Sequence, residues 1–159
     1  MEKQLDQLYP QIAEHILGMI PEDNWQEIYL HAEILDDSSN VYFYFNTSKN
    51  DDFQYSHDIP GEYGVSEKIY DDLLLELQVK FEELRKIFIV HDQEAWTNLT
   101  FILKYPGKLK IHYGYEDIIA SKVTPTQRQM IFEYQCLGLL PRSEKDKQFV
   151  MDYVKSQEK

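Results

Sequence analysis

Only one cysteine occurs in this chain, Cys136, and this limits the chemistry available to the fold. A lone cysteine excludes an intramolecular disulfide and any zinc site built from several thiolates. Apolar runs are also short, and none approaches the roughly 18 residues that a membrane-spanning helix requires. The N-terminal residues lack the charged and then apolar order of a secretory signal. These absences predict a cytoplasmic protein with no membrane segment.

Basic residues are scarce between Glu22 and Asp72. This region holds thirteen acidic residues and two basic ones, Lys49 and Lys68, so it contributes −11 of the net charge of −12. It also holds ten aromatic residues: Trp25, Tyr29, Tyr42, Phe43, Tyr44, Phe45, Phe53, Tyr55, Tyr63 and Tyr70. Phosphates would be repelled here, which argues against direct nucleic-acid binding. A basic protein partner fits instead, although a solubilising surface over an aromatic core also explains the pattern.

Length and composition indicate a single domain over residues 1–159. The chain is 43% hydrophobic and 14% aromatic, which is typical of a globular protein. A chain of this length buries about two thirds of its unfolded surface, so it needs neither a disulfide nor a metal to fold.

Hydrophobic periodicity predicts the element order α-β-β-β-α-β-β-α-α. Apolar residues recur at helical spacing from Leu5 to Ile20 and from Ile69 to Phe88, where Ser66 is the expected N-cap. Alternating patterns predict five strands, over residues 28–34, 41–45, 53–57, 99–103 and 109–115. Thr124 and Ser143 are the expected caps of the last two helices. Strands joined by short turns pair antiparallel, so the fold class is α+β with a sheet of about five strands.

One histidine pattern resembles the active site of zinc deaminases. His31 and Glu33 have the right spacing, but that chemistry also needs a Pro-Cys-x-x-Cys element, which this chain lacks. Both side chains lie on one face of a predicted strand, where we expect an ordinary surface pair.

Other catalytic patterns are weak or missing. His57-Asp58 and His91-Asp92 could form a hydrolytic metal site, although neither has the spacing of a His-Glu-x-x-His helix. Nucleophile elbows and phosphate-binding glycine loops are absent from the sequence. Cys136 lies near a predicted helix C-terminus, where the helix dipole raises a thiol pKa. We therefore expect no enzyme activity, metal or cofactor, and keep a metal-dependent hydrolase as an alternative.

Eight sequence blocks follow one another in a specific order along the chain. They are WQEIY at 25–29, VYFYF at 41–45, IPGEY at 59–63, YDDLL at 70–74, FEELRKIF at 81–88, Trp96, KIHYGYED at 110–117 and YQCLG at 134–138. In this order the chain resembles the YezG-like immunity proteins, which are antitoxins of the YezG/EsaG type. The resemblance covers about residues 3–156.

The resemblance implies a small cytoplasmic antitoxin. Such proteins protect Gram-positive bacteria from a nuclease toxin secreted by the type VII route, which carries an N-terminal targeting domain and a C-terminal nuclease domain. The immunity protein binds and blocks that nuclease domain. No catalytic residues follow from the resemblance. The loop from Asp36 to Asn40 departs from the family pattern, and we expect it to help set partner choice.

We predict a partner-binding surface that combines loop carboxylates with tyrosine anchors. The expected carboxylates are Asp36, Asp37, Asp51, Asp52, Asp58 and Glu62, with Glu116 and Asp117 as the next candidates. The expected anchors are Tyr42, Tyr44 and Tyr63. The alternative from another class is an interaction module or regulator with the same acidic surface and no toxin partner.

Overall fold

The computed structural model describes residues 1–158 of the chain. It resolves into two compact units, of which the first comprises Met1–Glu116 and the second begins at Asp117. The first unit contains the sheet and three helices, and the second contains two helices. A single domain over residues 1–159 stays a prediction.

The first unit follows the predicted alternation of helices and strands. Its elements are α1 (Glu2–Met19), β1 (Trp25–Ile34), β2 (Ser39–Thr47), β3 (Asn50–Tyr55), a 3-10 turn (Ser56–Asp58), α2 (Ile59–Tyr63), α3 (Glu67–Val90), β4 (Asn98–Lys104) and β5 (Lys108–Gly114). The Ser66 side chain caps α3 by accepting a hydrogen bond from the amide of Ile69. This hydroxyl satisfies one of the amides that the first turn of a helix leaves unpaired.

The sheet is antiparallel throughout, with the strand order β3-β2-β1-β4-β5. β1 is the central strand, because Ile28 faces Phe45 of β2 on one side and Leu103 of β4 on the other. The α+β class and the five-stranded antiparallel sheet are therefore confirmed.

Alternation along each strand places one set of apolar side chains under α1 and α3. Ile28, Leu30 and Ala32 of β1 are fully buried in this layer, since successive strand residues point to opposite faces. The helices contribute the side chains that lie over the sheet, namely Leu5, Leu8, Ile12, Ile16, Leu77, Phe81, Leu84 and Phe88. Burying this layer is the main favourable term for folding of the first unit.

The second unit contains α4 (Pro125–Leu137) and α5 (Glu144–Gln157). Thr124 and Gln127 form the predicted capping box at the start of α4, and Gly138 ends it with a φ of 71°. Glycine suits that left-handed position because it has no Cβ to clash. The Ser143 side chain caps α5 by accepting from the amide of Asp146.

The third strand differs from its predicted bounds, since it spans Asn50–Tyr55 and stops before His57. Ser56 explains the early stop. Its hydroxyl accepts a hydrogen bond from the amide of Phe43, at 3.0 Å, and so takes the place of a strand carbonyl. The chain then turns through Ser56–Asp58 into the short helix α2, which the sequence pattern did not predict.

Phe81 is the best test of this core. Its ring is fully buried and meets the ring of Phe101 edge-on, with the centroids 6.2 Å apart. We expect Phe81→Ala to lower the free energy of unfolding by about 3–5 kcal/mol, because it removes apolar contacts and leaves a cavity. Val79 lies on the same helix but is 52% exposed, so Val79→Ala should change the free energy of unfolding by less than about 0.5 kcal/mol. Urea denaturation measures both, and equal losses would contradict this core assignment.

Candidate partner-binding surface

The sheet divides the acidic region between two ends of the first unit. β2 runs from Ser39 to Thr47, which at roughly 3.3 Å per residue separates its termini by about 26 Å. Asp36 and Asp37 precede β2, whereas Asp51 and Asp52 follow it on β3. The predicted carboxylates therefore do not form one continuous face.

The hairpin end is the end of the sheet at the turn between β1 and β2. Asp36 and Asp37 are both exposed there. The guanidinium of Arg85 donates to the Asp36 carboxylate at 3.0 Å and to the carbonyl of Trp96 at 3.1 Å. A groove of about 540 Å³ lies beside this turn, and its charged lining includes Asp37, Glu82, Arg85 and Lys86. The charge at this end is therefore partly compensated.

The acidic end is the opposite end of the sheet. We define it by five carboxylate residues, Glu22, Asp23, Asp51, Asp52 and Glu62. Two hydrogen bonds tie the segments that carry Glu22, Asp23, Asp51 and Asp52 to the end of β2. The amide of Ser48 donates to the carbonyl of Asn24, and the side chain of Asn46 donates to the carbonyl of Asp51. Lys49 lies in the turn between β2 and β3, and Lys104 and Lys108 lie at the same end of the sheet on β4 and β5, so three basic residues accompany these five acids.

Tyr63 belongs to the acidic end. Its hydroxyl donates to the side chain of Gln54 at 2.6 Å. Partial burial raises the pKa of Tyr63, and Glu22 and Glu62 add to this rise because they disfavour the phenolate. Of the three predicted tyrosine anchors, Tyr63 is the one near carboxylates of the acidic end, namely Glu22, which was not predicted, and its sequence neighbour Glu62.

Tyr42 and Tyr44 lie on the face of the sheet opposite α1 and α3. They are 3% and 4% exposed, and their rings meet edge-on with centroids 6.2 Å apart. Both rings also contact Tyr55. In this conformation the two side chains offer little surface to a partner, and their role as anchors stays a prediction.

Besides Asp36 and Asp37, three predicted carboxylates lie away from the acidic end. Asp58 is exposed in the 3-10 turn, which is held beside the middle of β2. Glu116 is the last residue of the first unit, and its carbonyl accepts from the Thr97 hydroxyl at 2.8 Å. Asp117 begins the second unit, and its carboxylate accepts from the amide of Ala120 at 3.1 Å.

An apolar groove opens between α1 and the turn that joins β4 to β5, and we call it the anchor groove. It encloses about 270 Å³ and is lined by Tyr9, Pro10, Ala13, Glu14, Leu17, Trp25, Leu103, Pro106, Gly107 and Leu109. The sequence analysis did not find it. Tyr9, Ala13 and Leu17 recur every fourth residue, so they indicate a second apolar stripe on α1 that could have revealed it.

The histidines do not meet in one site. His57 bonds to the Tyr70 hydroxyl near the start of α3, and His91 bonds to the Gln4 side chain just after its end. Tyr70 and His91 are twenty-one positions apart along α3 and its C-cap, which corresponds to a distance of about 30 Å. Within residues 1–158, no three His, Cys, Asp or Glu side chains lie close enough together to hold a metal ion.

His31 and Glu33 do pair, at 3.0 Å, as their shared strand face predicts. The expectation of a surface pair is wrong, because the residues are only 9% and 6% exposed. Strand alternation determined the face correctly but did not indicate how deeply that face is buried.

No helix in the described part of the chain is long and apolar enough to cross a membrane. The first unit is an α+β layer of helices on an open sheet, and its surface presents carboxylates and an apolar groove. An apolar groove rimmed by polar residues is the kind of surface that binds another protein.

Comparison with known proteins identifies the family. The family model described as Immunity protein YezG-like matches residues 5–151. Immunity protein YezG of Bacillus spizizenii is 50% identical over 151 residues, which cover 95% of this chain and 93% of that protein. Immunity protein YezG of Bacillus subtilis is 44% identical over 150 residues, or 94% of this chain and 99% of that protein. Type VII secretion system protein EsaG of Staphylococcus aureus is 37% identical over 143 residues, which cover 90% of this chain and 87% of that protein.

The chain therefore belongs to the YezG-like immunity protein family, which confirms the resemblance found in the sequence. Its role is that of an immunity protein, or antitoxin, which binds a cognate toxin.

Cys136 provides a test of the second unit. Burial raises the pKa of its thiol to about 11. The direction agrees with the sequence-based expectation, and its cause is burial. At pH 8 such a thiol is ~0.1% ionised, against roughly a quarter for a free thiol, and only the thiolate reacts readily.

We therefore expect iodoacetamide to alkylate Cys136 at least about 100-fold more slowly in the folded protein than in urea. Mass spectrometry of timed samples at pH 8 measures both rates. Similar rates in the two states would contradict the burial of this thiol.

Proposed function

We propose that this protein neutralises a secreted nuclease toxin by binding its C-terminal nuclease domain. The proposal rests on membership of the immunity protein family together with a net charge of −12. The relative named as a type VII secretion system protein, EsaG, supports a toxin exported by that route.

The charge suits a nuclease because an enzyme that cleaves DNA or RNA presents a basic surface to the phosphates. An acidic inhibitor can occupy such a surface in place of the nucleic acid. Complementary charge also accelerates the encounter, by factors of about 10 to 10³ at low salt. Rapid capture is useful to an antitoxin, because the toxin is harmful as soon as it is free.

The proposed action is stoichiometric binding in the cytoplasm of the cell that makes the protein, without catalysis. His57 lies near the start of α3 and His91 lies just after its end, so these two histidines do not support the metal-dependent hydrolase. A regulator without a toxin partner would share the acidic surface, and only the identity of the partner distinguishes it from an antitoxin.

The first experiment is capture of the partner from the native cell. We expect the tagged protein to retain one protein with a nuclease domain, and an equimolar amount of this protein to stop that domain from cleaving DNA or RNA. Raising the salt from about 50 mM to about 500 mM NaCl should slow association at least tenfold, because ions screen the steering charge.

A result against the proposal is equally clear. If cells that express such a nuclease yield a complex without it, or if the purified nuclease domain keeps its activity with excess protein, the antitoxin does not act on a nuclease.

A further inference from the structure

We propose that the anchor groove receives one apolar side chain of the toxin domain while the acidic end holds basic residues that flank it. This inference rests on the proposed function, and it specifies the surface and the chemistry of the partner segment. The partner would present a leucine, methionine or phenylalanine within a cluster of lysines and arginines.

The groove has the size and lining of a site for a side chain. Its volume of about 270 Å³ lies below the roughly 300–1,000 Å³ of pockets for small-molecule ligands. Its lining is apolar except for Glu14, whose carboxylate is exposed. An apolar side chain would therefore be desolvated in the groove, and a basic neighbour would find Glu14 at its rim.

The groove and the acidic end belong to one surface because Trp25 connects them. Trp25 lines the groove, and Glu22 and Asp23 lie three and two positions before it in the chain. Its ring meets the ring of Tyr105 edge-on, with the centroids 5.5 Å apart, and Tyr105 is 59% exposed. A buried tryptophan beside an exposed tyrosine is the kind of aromatic pair found at the energetic centre of interfaces.

The remaining acids are within reach of the same partner. β3 carries Asp51 and Asp52 and lies three strand spacings from β4. The distance between these two strands is therefore about 14 Å. A standard interface buries about 800 Å² on each partner, which corresponds to a patch about 30 Å across. One toxin domain can therefore cover the groove and the acidic end together.

Compensating charges favour this end of the sheet over the hairpin end. Three lysines lie at the acidic end, namely Lys49, Lys104 and Lys108, and Lys104 pairs with Glu27 at 3.5 Å. Glu27 and the five acids that define this end outnumber these lysines by three. The groove at the hairpin end is lined by three acids and two basic residues, so its acidic excess is only one.

The test uses the full-length protein and the purified, catalytically inactivated nuclease domain identified by the capture experiment. The acidic-end variant combines Glu22→Gln, Asp23→Asn, Asp51→Asn and Asp52→Asn. Its matched control carries the same loss of charge away from the acidic end, through Asp36→Asn, Asp37→Asn, Glu82→Gln and Glu116→Gln. The groove variant is Gly107→Gln, which adds a side chain to a residue that lines the groove. A Cβ at residue 107 meets no atom within 4 Å, so this variant should fold normally.

Biolayer interferometry at about 50 mM and about 500 mM NaCl gives association rates and affinities for all four proteins. We expect the acidic-end variant to associate at least tenfold more slowly at low salt, with much of the salt dependence lost. The groove variant should bind at least tenfold more weakly through faster dissociation. The matched control should stay within about threefold of wild type.

Equal effects of the acidic-end variant and its matched control would overturn the assignment, as would wild-type binding by the groove variant. In either case the wild-type protein would still inhibit the nuclease, and the proposed function would stand. If instead the wild-type protein fails to inhibit the nuclease domain, the proposed function itself fails. Circular dichroism and thermal unfolding confirm that each variant is folded.

Discussion

Burial of the central strand β1 is the constraint on which the rest of the first unit depends. Ile28, Leu30 and Ala32 are fully buried, and their backbone pairs on both sides with β2 and β4. A shift of one residue would move this row to the opposite face and bring His31 and Glu33 beneath α1 and α3 instead. The register of the sheet, and with it the position of every loop, is therefore set by the layer beneath α1 and α3.

That register converts a continuous acidic segment into two separate surfaces. Asp36 and Asp52 are only sixteen positions apart in the chain, yet the length of β2 places them at opposite ends of the sheet. Arg85 reaches Asp36 from α3, a contact between residues that are far apart in sequence. Net charge therefore does not locate the binding surface, and the position of each compensating cation matters more.

Much of the fold was predictable because its signals are local. The caps at Ser66, Thr124 and Ser143 and the glycine stop at Gly138 lie within a few residues of the groups they satisfy. The end of β3 was not predictable, because it depends on a hydrogen bond between Ser56 and a different strand. Contacts of that kind leave no periodic signal in the sequence.

The candidate site was less accessible to sequence analysis than the fold. Several predicted carboxylates are not loop residues, since Asp51 and Asp52 lie on β3 and Glu62 lies on α2. Only their positions in space show which of the carboxylates lie together. The anchor groove joins α1 to a turn about ninety residues later in the chain, and no short motif marks it. The resemblance to immunity proteins identified the family without locating this surface.

Amide hydrogen exchange of the free protein and of its complex with the toxin domain tests the central claim most directly. The account predicts that binding slows exchange at residues 22–25, 48–52 and 105–109, which surround the acidic end and the anchor groove, and leaves residues 35–39 unchanged. Slowed exchange at residues 35–39, with no change around Trp25, would contradict it.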